Sequence, residues 1–243
     1  MAKAPKTPQE VFPEIVGDLK GIYGNGLLSV ILYGSGARGD YIAGKSDINF
    51  LVVLTGDAAD ELEKLLPLIP KWRKKAVATP VIVTKAFIGS SLDAYPVEFL
   101  NMKRHYEVAF GEDVLAQLAF DEKALRLQCE RELKGKRMLL RTRFLETADK
   151  VQELRGLLAA SITAFLSVFV ALLALKGREA PRGRREIVAA VAESYGIETA
   201  PFLHCIDLRE GKKGLTLPEL KGIFRSYMEQ IEKLTEAVDR AGP

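Results

Sequence analysis

The stretch from Leu32 to Leu54 reads LYGSGARGDYIAGKSDINFLVVL, and it decides the fold of the first half of the chain. It overlaps one short apolar run, Leu27–Tyr33, and ends in a second, Asn49–Leu54. Both runs have the length and composition of buried β-strands. The glycine-rich segment between them matches three phosphate-binding patterns, and the flanking strands determine which pattern fits.

Two of the three patterns need a helix for which this segment has no room. Residues 39–46 (GDYIAGKS) match the P-loop pattern, which needs a helix to begin at Ser46, but a strand follows there instead. Gly34, Gly36 and Gly39 match the dinucleotide fingerprint, which needs a helix of about three turns before the next strand. We therefore expect neither pattern to form its usual phosphate site.

The third pattern fits a strand, a turn and a second strand. Gly34 and Ser35 follow the first strand as a tight turn that opens a short helix, and Asp47-Ile48-Asn49 begins the second strand. Because side chains alternate along a strand, Asp47 and Asn49 should share one face. Two oxygen ligands near a turn whose N–H groups can bind phosphate favour a site for Mg²⁺ and a nucleotide.

These residues resemble the signature of the polymerase-β-like nucleotidyltransferase superfamily, and of its minimal and aminoglycoside-type members in particular. The signature is an apolar residue, Gly, Gly or Ser, a gap of about a dozen residues, then Asp, an apolar residue, and Asp or Glu. Tyr33-Gly34-Ser35 and Asp47-Ile48-Asn49 match it, and the resemblance covers about the first 115 residues. It implies that Gly34 and Ser35 bind a nucleoside triphosphate and that Asp47 and Asn49 hold Mg²⁺. Asn49 departs from the signature, since an amide brings no charge and should weaken Mg²⁺ binding.

The resemblance also implies a third carboxylate on a later strand. Glu98 in residues 95–101 (YPVEFLN) is the candidate, because Val97 and Phe99 would face away from it on a strand. It would serve as a third metal ligand, or as the catalytic base for an acceptor hydroxyl. A surface glutamate on an edge strand fits the sequence equally well, and Asp93 is the alternative carboxylate.

Two basic residues, Arg38 and Lys45, lie close to the Gly-Ser turn in sequence. We predict that they contact the phosphates of the nucleotide, as charge-assisted donors commonly do. A basic residue in a polar loop can also be solvated and make no such contact.

Residues 1–115 are predicted to form an α+β domain with a mixed sheet. Residues 80–84 (PVIVT) and 96–101 (PVEFLN) predict two further strands. Residues 57–75 have helical apolar spacing that two prolines interrupt.

Residues 116–243 are predicted to form an all-α helical bundle. Asp121 should cap a long charged helix, and Thr216 and Glu219 form a capping box. Residues 134–143 (KGKRMLLRTR) carry only basic charges, so they could form a salt-bridged surface or line a channel for an anionic substrate. The final helix has apolar residues at helical spacing, namely Leu220, Ile223, Phe224, Tyr227, Ile231, Leu234 and Val238.

Residues 156–175 carry no charge over about the length that spans a bilayer. Three hydroxyl-bearing residues and several alanines dilute this run, so we expect a helix buried in the bundle rather than a membrane span. The start of the chain lacks the apolar core of a secretory signal. These features predict a cytoplasmic protein with no membrane partner.

The composition is ordinary for a soluble protein, with a net charge of +3 over 243 residues. Bulk charge therefore indicates no nucleic-acid partner but does not exclude one. Cys129 and Cys205 should be reduced thiols, and His105 and His204, which have no motif around them, should be structural.

The sequence predicts a Mg²⁺-dependent nucleotidyltransferase-like protein that transfers a nucleoside monophosphate from a nucleoside triphosphate to an unknown hydroxyl acceptor. The acceptor is expected between the two domains. The alternative, suggested by Asn49, is a nucleotide-binding or protein-interaction module that keeps the fold and has impaired chemistry.

Overall fold

The two apolar runs beside the glycine-rich segment form neighbouring antiparallel strands, β1 (Leu27–Tyr33) and β2 (Asn49–Leu54). The structure is a computed structural model that describes residues 4–240. Residues 1–3 of the first predicted domain and residues 241–243 of the second lie outside the described residues. The pairing runs from Leu27 opposite Leu54 to Tyr33 opposite Asn49. Both strands are confirmed as predicted.

Two further strands complete a mixed sheet of order β3-β2-β1-β4. β3 (Val81–Thr84) is parallel to β2 and confirms the strand predicted there. β4 (Tyr106–Gly111) is antiparallel to β1 and was not predicted. It ends at Gly111, whose φ is +79° and where a Cβ would lie 2.0 Å from the carbonyl oxygen of Leu28. Only glycine fits this close approach.

Helices cover both faces of the sheet and build two apolar cores. The first core joins α1 and Trp72 to the strand face that carries Leu32 and Phe50. The second joins α5 and α6 to the opposite face, which carries Ile31 and Leu51. The helices of this region are α1 (Phe12–Tyr23), α2 (Ser35–Arg38), α3 (Gly56–Ala59), α4 (Ile69–Arg73), α5 (Lys85–Ser91) and α6 (Pro96–Arg104). The predicted α+β fold is confirmed.

The strand predicted at residues 96–101 is wrong, because these residues form the start of α6. Proline is favoured in the first turn of a helix, and Pro96 occupies that position. Val97 and Phe99 are both buried, although they alternate with exposed Glu98 in the manner of a strand. The helical spacing predicted over residues 57–75 appears only in pieces, as α3, a single 3-10 turn and α4.

An ion network ties α4 to α1. Lys71 Nζ lies 3.0 Å from Glu14 and 2.8 Å from Asp18, and Lys75 also pairs with Glu14. Trp72, which is 1% exposed, donates its indole N–H to Asp18 at 2.9 Å. The network therefore anchors the only tryptophan of the chain in the first core.

The second half of the chain is helical, as predicted. Asp121 caps the first helix by accepting a hydrogen bond from the N–H of Ala124 at 2.8 Å, and Thr216 and Glu219 form the predicted capping box. The helices are α7 (Glu122–Glu146), α8 (Val151–Leu175), α9 (Arg184–Tyr195), α10 (Ala200–Arg209) and α11 (Leu217–Arg240).

α8 contains the uncharged run and lies at the centre of this helical region. It packs against the other four helices, and 56% of its most apolar window is buried. By length and composition alone the helix could cross a membrane. Its packing accounts for the apolar sequence, because a helix surrounded by others needs an apolar surface on most of its sides.

The core of the helical region is rich in aromatic residues. Phe165, Phe169, Phe202 and Tyr227 contact one another edge to face or tilted, at centroid distances between 5.2 and 6.2 Å. Cys129 and Cys205 are not joined in a disulfide, and neither has exposed surface.

The chain divides into two compact units, of which the first ends at Phe120 and the second begins at Asp121. We refer to them as the N-terminal unit and the helical unit.

Candidate active site

The register of β1 and β2 brings the two halves of the signature together. Asn49 lies directly opposite Tyr33, the residue that precedes the Gly-Ser turn. The Nδ2 atom of Asn49 would be 3.6 Å from a Cβ placed on Gly34, which is ordinary contact distance. Residues that are about a dozen positions apart in sequence therefore meet at one corner of the sheet.

The turn at this corner depends on Gly34. Its φ is +76° and its ψ is −144°, a conformation that residues with a side chain rarely adopt. The turn is closed by hydrogen bonds from the N–H of Arg38 to Gly34 O and from the N–H of Asp40 to Ser35 O, both at 3.0 Å. Ser35 opens α2 and is half-buried.

Gly36 is packed against neighbouring side chains, so its lack of a side chain serves this packing and not the approach of a ligand. A Cβ at this position would lie 3.1 Å from the Leu32 side chain and 3.2 Å from that of Pro8. Sequence analysis missed the part that Pro8 plays in positioning the turn. A contact between residues this far apart leaves no local pattern from which it could have been predicted.

The structure rules out both patterns that need a helix. Gly44, Lys45 and Ser46 lie in a turn that leads into β2, and no helix begins there. The hydroxyl of Ser46 accepts a hydrogen bond from the N–H of Ile42 at 3.1 Å, so it closes the turn. α2 is four residues long, which is too short for the dinucleotide fingerprint.

Asp47 and Asn49 point away from the first core, as the alternation predicts. Ile48 between them has no exposed surface and belongs to that core. Its backbone is held by hydrogen bonds from its own N–H to Ala76 O at 2.8 Å and from the N–H of Ala78 to its carbonyl oxygen at 3.0 Å. Asp47 is exposed, and Asn49 is half-buried and donates a hydrogen bond to Asp47 O at 3.4 Å.

The sheet places no further carboxylate on the face that carries Asn49. β1, β2 and β3 contain no acidic residue, and β4 contributes only Glu107. Glu107 lies opposite Leu32 on the other face, where it accepts a hydrogen bond from Gln9 at 2.7 Å. The neighbours of Asn49 along its row are Tyr33 and, beyond it, Tyr106. Burial raises the pKa of Tyr33, which keeps its hydroxyl protonated at neutral pH.

The prediction that Glu98 lies on a strand is wrong, so the reason for choosing it as a third carboxylate does not hold. Glu98 lies in the first turn of α6 and is exposed, and Asp93 lies in the turn before that helix and is also exposed. Among residues 4–240 no three His, Cys, Asp or Glu side chains come close enough to form a metal site.

The two predicted phosphate contacts differ in their surroundings. Arg38 is paired with Asp40, at 2.6 Å between Nε and Oδ2, so its charge is already partly compensated. Lys45 is exposed and forms no ion pair with any residue in the described range 4–240. Both follow the Gly34 turn within the segment that connects β1 to β2.

The donor set at this corner fits a Mg²⁺ ion that arrives with a triphosphate. Mg²⁺ prefers oxygen ligands and is commonly held by one or two carboxylates, with phosphate oxygens and water completing its shell. Asp47 offers one carboxylate and Asn49 one amide oxygen. This set does not fit a Mg²⁺ ion that protein side chains hold alone.

A cavity of about 230 Å³ lies in the helical unit between α7 and α8. Its walls are mainly apolar, with Lys136, Arg143 and Ser161 as polar members. None of the predicted site residues lines it.

Comparison with known proteins finds one similarity, and it lies in the N-terminal unit. Residues 13–106 match the family model described as a nucleotidyltransferase domain, and the match includes the Gly-Ser turn and the Asp47–Asn49 segment. No curated protein matches the chain. Residues 13–106 are therefore similar to a nucleotidyltransferase domain, which is consistent with the resemblance to the polymerase-β-like superfamily.

Proposed function

We propose that the chain transfers a nucleoside monophosphate from a nucleoside triphosphate to a hydroxyl acceptor in a Mg²⁺-dependent reaction. The nucleotidyltransferase domain supports nucleotidyl transfer in general. The observation that carries the finer proposal is the contact between Gly34 and Asn49 at the corner where Asp47 is exposed. One side of this corner can bind phosphate through backbone N–H groups, and the other offers oxygen ligands.

Each residue has a role in this proposal. The turn at Gly34 and Ser35 holds the β- and γ-phosphates, and Lys45 adds a positive charge nearby. Asp47 and Asn49 would hold Mg²⁺, which supplies charge neutralisation on the phosphate oxygens when bound. The acceptor hydroxyl oxygen forms a bond to the α-phosphorus and gives its proton to solvent water. The bond from the α-phosphorus to the oxygen that bridges to the β-phosphorus breaks, and pyrophosphate leaves. Glu98 has no part in this scheme, because its assignment depended on a strand that is a helix.

A second candidate is a nucleotide-binding module with impaired transfer. The observation that favours it is the single carboxylate at the corner, since Asn49 is neutral and the sheet adds no acid to that face. Such a module would bind a triphosphate with Mg²⁺ and release no pyrophosphate.

Restoring the charge at position 49 tests both candidates. We expect Asn49→Asp to tighten Mg²⁺–nucleotide binding by roughly 10- to 100-fold, because a single ligand commonly changes metal affinity by that factor. Calorimetric titration of Mg²⁺ with a triphosphate measures the affinity, and pyrophosphate release is followed in parallel. Asn25→Asp, a change of the same chemistry at an exposed residue outside the site, should leave both quantities unchanged.

The outcomes separate the candidates. Slow pyrophosphate release by the wild type that Asn49→Asp accelerates supports transfer. Tighter binding without release by either protein supports the binding module. If neither affinity nor release differs between wild type and Asn49→Asp, positions 47 and 49 do not form a metal site and both candidates fail.

A further inference from the structure

Two basic segments lie side by side at one end of the helical unit. One comprises the loop before α9 and the first turn of that helix, with Arg182, Arg184 and Arg185, and the other comprises the end of α10 and the loop after it. Arg185 joins them, with its Nη2 atom 2.7 Å from Asp207 and 2.5 Å from Glu210. We call this surface the basic end, and it consists of Arg182, Arg184, Arg185, Arg209, Lys212 and Lys213, with the acids Glu186, Asp207 and Glu210.

The basic end keeps an excess of positive charge after internal pairing. Its six cationic residues face three acids, two of which are bound by Arg185 and Lys212. The third acid, Glu186, lies against Gly183 at the start of α9. Among residues 4–240 four cations have no ion-pair partner, namely Arg182, Arg184, Arg209 and Lys213.

Most basic residues of the run 134–143 on α7 are paired with acids, unlike those of the basic end. Lys134 and Lys136 pair with Glu130 and Glu132 one turn earlier on the same helix. Arg137 pairs with Glu232 of α11, and Arg143 pairs with Glu146 at 2.9 Å. Four of the five basic residues in 134–143 are therefore paired, and Arg141 is the exception. The four unpaired cations of the basic end, by contrast, lie on two neighbouring segments that Arg185 joins.

The composition of the basic end indicates the class of partner. Three of its four unpaired cations are arginines, whose planar guanidinium groups match the geometry of phosphate. A surface that enters a membrane needs exposed apolar side chains. The exposed large apolar residues of the helical unit, such as Met138 and Leu145, lie on α7 instead. The basic end also lacks aromatic residues, so it offers no platform on which bases could stack.

We propose that the basic end binds the phosphate backbone of a nucleic acid without reading its sequence. The pairing of Arg185 with Asp207 of α10 and with Glu210, which follows that helix, holds the two segments in place. The unpaired cations around them contact successive phosphates. This inference rests on the helical unit alone and is independent of the proposed chemistry of the N-terminal unit.

The test measures how strongly binding depends on salt. Full-length protein is titrated into a fluorescent DNA duplex of about 20 base pairs, and anisotropy is followed from 50 to 200 mM salt. If Arg182, Arg184 and Lys213 each neutralise one phosphate, these three contacts alone lower the association constant roughly 40-fold as the salt rises from 50 to 200 mM. The variant Arg182→Gln/Arg184→Gln/Lys213→Gln should bind more weakly and lose about 2.7 units from the slope of log affinity against log salt.

A control variant removes three positive charges from α7, which belongs to the same unit but lies outside the basic end. Lys123, Arg131 and Arg141 lie on α7 and, like the tested residues, form no ion pair within residues 4–240. Lys123→Gln/Arg131→Gln/Arg141→Gln should keep a slope within about one unit of the wild type.

Three results would overturn the proposal. The first is an equal loss in both triple variants, which would mean that net charge alone attracts the duplex. The second is the absence of duplex binding by the wild type at low salt. The third is binding to phosphatidylserine vesicles in preference to the duplex, with the same dependence on the basic end, which would identify a membrane surface as the partner.

Discussion

At the scale of single residues, the candidate site depends on the position of the Asn49 amide beside the turn at Gly34. Gly34 can take its positive φ because it has no side chain, and this lets the Asn49 amide lie against the turn. The amide in turn donates to Asp47 O, so it is oriented by the backbone of its own strand. A carboxylate at position 49 could not donate this bond, and its oxygens would be available to a metal.

The choice between a metal-centred site and a P-loop is tested by two alanine variants. We expect Asp47→Ala to abolish Mg²⁺-dependent triphosphate binding, because Asp47 supplies the carboxylate of the proposed metal site. Lys45→Ala should leave measurable binding, since Lys45 adds charge near the phosphates but lies in a turn that leads into a strand. Calorimetry with and without Mg²⁺ measures both effects. An equal loss in the two variants would contradict this assignment and favour a lysine-dependent phosphate site.

At the scale of elements, patterns that depend on neighbouring residues were predicted correctly. β1 and β2 were recognised from the apolar composition of each run. The cap at Asp121 and the box at Thr216 and Glu219 rest on hydrogen bonds between residues three positions apart. Local sequence specifies such features because their partners are also local.

The errors have physical causes in the same region of the chain. Residues 96–101 alternate apolar and polar side chains, but Pro96 at the first turn starts a helix, whose buried side includes Val97 and Phe99. β4 was missed although Tyr106, Val108 and Phe110 alternate regularly with other residues. The false strand at 96–101 led to the wrong placement of Glu98. Strand identity decides which carboxylates share a face, so the argument that placed Glu98 beside the metal pair does not hold, and its role as a third ligand stays a prediction.

The ion network between α1 and α4 predicts a dependence of stability on pH. The hydrogen bond from Lys75 is the largest influence on the pKa of Glu14 and lowers it. Burial would raise the pKa of Asp18, but hydrogen bonds from Lys71 and Trp72 outweigh burial and lower it. Carboxylates with lowered pKa values stabilise the fold above their ordinary values of 4.5 and 3.8, and this contribution is lost as the pH falls through the lowered values.

Urea unfolding followed by Trp72 fluorescence from pH 7 down to pH 3 measures this loss. We expect Glu14→Gln/Asp18→Asn to lower the stability of the N-terminal unit at pH 7 by on the order of 1 kcal/mol, with a smaller loss below pH 4. Glu63→Gln, at an exposed residue without an ion pair in the described chain, is the matched control and should follow the wild type. A parallel pH profile for the wild type and the double variant would show that the network does not contribute.

At the scale of the whole molecule, the modest net charge conceals an asymmetry between the units. The N-terminal unit has 13 basic and 14 acidic residues, whereas the helical unit has 22 basic and 18 acidic residues. Bulk composition averages these values and so could not indicate an anion-binding surface. The unpaired cations of the basic end form one local part of the excess in the helical unit.

The positions of tryptophan and cysteine give each unit its own reporter of unfolding. Trp72 lies in the N-terminal unit, and Cys129 and Cys205 both lie in the helical unit, where neither has exposed surface. Burial also raises the pKa of the Cys205 thiol, which further suppresses its reaction in the folded state. A thiol reagent should therefore label the chain only when the helical unit opens, while tryptophan emission reports the other unit. Labelling of the native protein as fast as that of the unfolded chain would contradict this. The stabilities of both units can thus be measured in one intact molecule, without dyes or truncation.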